Sequence, residues 1–185
     1  MAVKRLPNEQ EAACGAVMAA TNAADLLSDA DVLAAAGRHG RALSLAVLAF
    51  EESVKARTLG AIVAAARQGR PPGFSDDDLR KIIYSSHEAR HSAGLLQHLA
   101  AAYPDVYGKL MLGMVIDPAE TAVLQKLTGL AASANAGKQS GFYTDFDPNS
   151  GSWTAAGNIV NSDFEEIRAL IGEYVGETQR QIDSL

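Results

Sequence analysis

Apolar residues recur every three or four positions over long stretches of this chain, the spacing of helices that bury one face. From Glu9 to about Ala36 the sequence is rich in Ala, Leu and Met and holds no proline, and Gly37 supplies a stop where a left-handed backbone is unstrained. One long helix, or two abutting ones, is predicted there. Arg38 to Gln68 repeats the pattern, with Leu45, Ala49, Glu52, Ala56, Leu59 and Val63 on one stripe, until the paired prolines of GRPPGF end it. Ser75, with Asp78 three residues on, resembles a capping box and opens a third helix reaching about Ala102. The stretch AYPDVYGKLMLGMVID reads as a turn and a short apolar segment. Asp117-Pro118-x-Glu120 then gives an N-cap, a proline at the first helical position and an acid at the third, so a fourth helix is predicted to about Gly137. Asn161-Ser162-x-x-Glu165 caps a final helix running to the C-terminus. Between Ser140 and Gly157 the chain is dense in Gly, Asp, Pro and Ser, yet it carries Phe142, Tyr143, Phe146 and Trp153, which predicts a loop anchored by its rings. No strand-like alternation and no long repeat interrupts this series. The fold class is therefore all-α: two long antiparallel helices joined by a tight turn at Gly37, two or three further helices packed on them, and an aromatic-anchored loop.

Composition narrows the picture. A chain of 185 residues that is 48% hydrophobic can bury one substantial core, so residues 1–185 are expected to form a single domain. The start MAVKRLPNEQ lacks an apolar signal region and no run of 18 or more apolar residues occurs, so a cytoplasmic protein without a membrane span is expected. Cys14 is the only cysteine, which excludes an internal disulfide and a cysteine-based zinc cluster; its alanine-rich surroundings suggest a small core residue. The net charge of −6 argues against a broad nucleic-acid-binding face and leaves room for a small basic pocket.

Two stretches carry candidate chemistry. His87-Glu88-Ala89-Arg90-His91 fits H-E-x-x-H, in which imidazoles at i and i+4 of a helix grip a zinc ion and the glutamate activates its water. Against a zinc hydrolase stand the cationic Arg90 inside the motif, the lack of a third histidine at a usable spacing, and the absence of a predicted strand to align a peptide. The plain alternative is a polar helix face with Glu88 and His91 solvated. In the second helix Glu51 and Glu52 follow a nearly apolar run, and Glu52 falls on the core stripe with Lys55 three residues on. A carboxylate there must be paired or hydrogen-bonded, or its pKa rises. His39 reads as a solvated residue near a helix end, His98 as a flank of the third helix, and the Met111-Leu112-Met114 cluster as packing.

The ordered set ALSLAVLAFEESVKA, then His87 with Arg90, then GKQSGFYTD with Trp153 ten residues after Tyr143, resembles the AbiV-type abortive infection family of the HEPN superfamily, from about Ala12 to Ile167. The resemblance implies a compact helical protein of bacterial phage defence, frequently a homodimer, and in many HEPN domains a metal-independent ribonuclease built on an Arg-x(4–6)-His pair. The family's E-E-x-x-K falls on Glu51, Glu52 and Lys55, its H-x-x-K on His87 and Arg90, and its K-Q-x-G-x-Y on Lys138, Gln139, Gly141 and Tyr143. Arg90 stands where lysine is usual, which keeps the charge and changes donor geometry. Ser53-Val54 replaces a commoner small or glycine-containing pair. Arg80-x6-His87 meets the ribonuclease spacing, a loose match that arises readily by chance; on one continuous helix the two would share a face about 10 Å apart along the axis.

The expected catalytic set is Glu52, Lys55, His87 and Arg90, with Arg80, Lys138 and Tyr143 toward substrate and no metal or other cofactor. His87 would be the general acid or base, since the ordinary histidine pKa of about 6.5 suits proton transfer. Arg90, and with it Arg80, would stabilise the charge gained at phosphorus, and Glu52 would orient His87 or Lys55. The partner is then RNA. The rival expectation is a non-catalytic module in which the same four side chains fix the packing of two helices and the aromatic loop meets a phage or host protein.

Overall fold

The computed structural model describes residues 4–142, 144–154 and 161–185. Among them seven α-helices follow one another: α1 (Glu9–Ala35), α2 (His39–Arg67), α3 (Asp76–Arg80), α4 (His87–Ala102), α5 (Pro104–Met111), α6 (Pro118–Phe142) and α7 (Asn161–Asp183). The fold is all-α, as the pattern predicts. Gly37 adopts φ 73° and turns α1 into α2, which pack against each other along their length. The seam is made largely of alanine: Ala12, Ala16, Ala19 and Ala20 of α1 lie against Ala56, Leu59 and Val63 of α2. Small side chains let the two backbones approach closely.

The second helix is the centre of the molecule. It contacts α1, α4, α6 and α7, and its buried residues, among them Leu43, Val47, Ala49, Glu51, Ser53, Ala56 and Leu59, lie around most of its circumference. A helix enclosed in this way keeps little solvent face: Arg41 near its start is exposed, and Glu52 and Lys55 further on are part-buried. Arg57 is held by a hydrogen bond to Thr178 Oγ1 (2.8 Å), an ion pair with Glu177 (3.1 Å) and the ring of Tyr174 (4.0 Å), which ties α7 to α2.

Several departures from the sequence reading stand out. The single helix expected from Ser75 to Ala102 is broken: α3 passes into a π-helical turn, Lys81–Ser85, and Ser86 is extended (φ −120°, ψ 114°), its Oγ accepting from Ala89 N as the N-cap of α4. α6 runs past Gly137 to Phe142, because its end is anchored on α2: the Ser44 hydroxyl donates to the Lys138 carbonyl at 2.9 Å. The expected loop contains a short antiparallel hairpin, β1 (Asp145–Asp147) with β2 (Ser152–Thr154), in which Phe146 stands opposite Trp153. Cys14 is exposed rather than core, and Met111, Leu112 and Met114 are 60%, 76% and 55% exposed rather than packed. The ring of His39 lies 5.9 Å from that of Phe164 instead of in water. No helix among the described residues is long and apolar enough to cross a membrane.

Candidate functional site

Of the two adjacent carboxylates of α2, the one buried deepest is Glu51, at 1% exposure. Its neighbour Val54, one turn on, packs with Ile82 and Ala93, so this face of α2 looks toward α4. Three donors converge on Glu51. Lys138 Nζ donates to Oε1 at 2.6 Å, His91 Nε2 lies 3.1 Å from Oε1, and His87 Nδ1 lies 2.5 Å from Oε2. Arg90 Nη1 stands 3.6 Å from Oε2, too far for a hydrogen bond and close enough for its charge to act. Burial pushes the Glu51 pKa up, but the hydrogen bonds from His91, Lys138 and His87, with the Lys138 charge, outweigh it and hold the carboxyl down at about 2. An ionised carboxylate only accepts, so His87 presents its Nδ1–H and His91 its Nε2–H. Lys138 Nζ, 3.3 Å from His87 Nδ1, is then a second donor to the same acid rather than a partner of the ring.

Local structure explains each position. Capping by Ser86 starts α4 at His87, and His91 follows one turn later on the same face. Arg90 is fixed from the other side, its Nε donating to the carbonyl of Ile82 in the π turn at 2.8 Å. Lys138 reaches the acid because α6 lies close on α2: a Cβ on Gly141 would collide with Ser44 Oγ and the Gly40 carbonyl. Gly94 does the same for α4, since a Cβ there would run into Phe50 and Val54.

The residues singled out from sequence therefore divide. His87, Arg90 and Lys138 come together. Glu52 and Lys55 form their own ion pair at 2.7 Å, with side chains 19% and 24% exposed, and the acid at the seam is Glu51 in place of Glu52. Arg80 is turned elsewhere, its Nε donating to the Lys4 carbonyl at 3.0 Å and its Nη2 lying 3.4 Å from Asp76. The broken helix is the reason, because Arg80 and His87 no longer share a continuous face. Tyr143 lies outside the described residues. Lys138, expected toward substrate, is 7% exposed at its side chain and is spent on Glu51. His91 is 12% exposed and bonded, not solvated, while Glu88 is exposed.

The HEARH motif does place both imidazoles on one face, yet they hold a carboxylate, and the Lys138 ammonium sits beside it where a cation would otherwise go. No group of three or more His, Cys, Asp or Glu side chains suited to a metal ion occurs among the described residues. Glu51 and His91 were missed as site members. The i,i+4 spacing of the two histidines is the signal available for His91; for Glu51 it is the first position of the family's E-E-x-x-K motif, which does not say which of the two acids faces the seam.

The cluster sets one negative charge against two permanent positive ones, with two imidazoles beside them. Its one open member is His87, whose side chain is 57% exposed, against 13% for Arg90 and 1% for Glu51. Fold and site together define a helical domain organised around a buried carboxylate that holds a solvent-facing histidine. The chain belongs to the AbiV family of HEPN domains, whose family model matches residues 11–172. That family is of the abortive-infection, phage-defence type. No curated protein and no solved structure matches the chain at a significant level.

Proposed function

We propose that this protein is a phage-defence ribonuclease that cuts RNA without a metal ion, with His87 as general acid and base. The observation that carries the reading is the contrast at His87. Its Nδ1 is fixed on a buried, ionised Glu51 while the ring is 57% exposed, which leaves Nε2 for an incoming group. A carboxylate behind an imidazole sets the tautomer and stabilises the imidazolium that forms on proton transfer. A network that served packing alone would gain nothing from an exposed ring.

In this mechanism His87 Nε2 takes the proton of a ribose 2′-hydroxyl as that oxygen attacks the adjacent phosphorus. The P–O5′ bond breaks, and the imidazolium or water returns a proton to the leaving 5′-oxygen, giving 2′,3′-cyclic phosphate and 5′-hydroxyl ends. Arg90 and Lys138 act mainly through their field, since both are largely buried, and their surplus of positive charge favours the extra negative charge of the transition state. Glu51 takes the orienting role first expected of Glu52. Purified protein incubated with total RNA should cleave it equally with and without EDTA. His87→Ala should abolish cleavage with helicity unchanged by circular dichroism, and Glu52→Ala should leave most of it. An inactive wild-type protein, or full activity in His87→Ala, would overturn the proposal in favour of an interaction module whose cluster only fixes helix packing.

A further inference from the structure

A cavity of about 70 Å³ lies next to the cluster, between α2, α4, α6 and α7. Val47, Phe50, Leu95 and Ile171 form apolar walls, and the side chains with polar groups are His91, which also holds Glu51, His98, two turns further along α4, and Tyr174. An apolar void is normally filled by neighbouring side chains, because its lining forgoes dispersion contacts. Here filling is limited from one side, since Gly94 admits Phe50 to its place and no larger residue fits there.

The cavity is not sealed. His98, Leu127 and Leu170 line both it and a wider vestibule of about 240 Å³. Tyr103, Lys126, Glu166 and Glu173 stand around the vestibule. Lys126 pairs with Glu166 at 3.7 Å, and among the described residues Glu173 has no ion-pair partner, so the mouth carries a net negative charge. An apolar chamber with a few convergent polar groups and a charged mouth is the form of a small-ligand site.

We infer that this chamber binds a small amphipathic organic cation, its apolar end, no larger than one ring, in the cavity beside His91 and its charged head at Glu173. Burial, with the nearby Arg57 charge, holds the His98 pKa below the ordinary histidine value, so at neutral pH the neck is uncharged and does not repel the head. The bound end touches His91 and the Phe50 ring packed edge-on against it at 5.9 Å, which puts ligand and Glu51 cluster on opposite sides of one imidazole. The inference stands apart from the ribonuclease reading, and its test needs no RNA.

Benzylamine is the probe. Titrated into the full chain and followed by NMR of histidine side chains and methyl groups, it should give saturable shifts at His91, His98 and Leu127. Benzoate, with the opposite charge, should bind at least about tenfold more weakly, and Glu173→Gln should weaken benzylamine alone. Leu127→Phe, which fills the neck, should abolish the saturable shifts; Leu170→Phe serves the same purpose should the first variant lose its fold by circular dichroism. Absence of saturable binding, equal affinity for benzoate, or unchanged binding in a folded neck-filled variant would each overturn the assignment.

Discussion

Glu51 and Glu52 differ by one residue, or about 100° around a helix, and that step decides their energetics. Glu52 shares a part-buried pair with Lys55, whereas Glu51 is the single anion facing two cations, itself only 1% exposed. Removing one partner of a buried pair strands the others, so Glu51→Ala should lose about 3–5 kcal/mol in urea denaturation. Glu52→Ala should lose no more than about 1 kcal/mol, as a part-exposed pair does. Equal losses would contradict the burial difference. The same acid predicts a pH dependence. Its folded-state pKa of about 2 lies below the ordinary 4.5, so protonation favours the unfolded chain. The stabilisation is therefore complete above about pH 4.5 and disappears as pH falls toward 2, on the order of 3 kcal/mol in all. Stability measured against pH over this window should fall steeply in the wild type and more gently in Glu51→Gln; parallel curves would refute the assignment.

At the scale of elements, the site depends on how closely α4 and α6 lie on α2. Gly141 stands where a side chain would meet the α2 backbone at Gly40, so Gly141→Ala should push the end of α6 outward and draw Lys138 from Glu51. A loss of about 1–3 kcal/mol is expected from such overpacking, measured by thermal unfolding, with RNA cleavage reduced further than stability accounts for. A variant as stable as the wild type would show that the contact relaxes freely. Ser86→Ala should cost about 1 kcal/mol through the lost cap and loosen the turn that carries His87. These features also mark the limit of what the sequence discloses. The long periodic helices, the Gly37 turn and the Asp117–Glu120 cap follow from local rules, and the cap is present with reciprocal hydrogen bonds of 2.9 and 3.0 Å. The break at Ser86 is written only as two serines inside a helical pattern, and a π turn has no residue signature. The continuation of α6 beyond Gly137 rests on tertiary contact with Ser44, which overrides the local weakness of glycine in a helix. His87, Arg90 and Lys138 were legible as chemistry through their motifs. Their common acid was marked by the family's E-E-x-x-K motif but not singled out from Glu52, because a stripe argument assumes one buried face and α2 is buried around most of its circumference.

For the molecule as a whole, the enclosure of α2 has a consequence for how it opens. Every long helix other than α2 itself leans on it, the alanine seam with α1 on one side and the acid cluster with α4 and α6 on another. α2 amides can then exchange with solvent only when those contacts are lost together, which is close to global unfolding. α5 is the opposite case: it buries Val106 alone and runs into the exposed Leu110–Val115 turn. Native-state hydrogen exchange should show the slowest amides at Val47–Leu59, with exchange free energies equal to the unfolding free energy from denaturant. Residues 104–116 should exchange several orders of magnitude faster. The cluster supplies a further contrast, since Glu51→Ala loosens the seam between α2, α4 and α6 but leaves the alanine seam intact. In that variant α4 amides should become fast while those of α1 keep wild-type order relative to α2. Uniform acceleration throughout would mean that the acid stabilises the whole molecule as one unit rather than the face that bears His87.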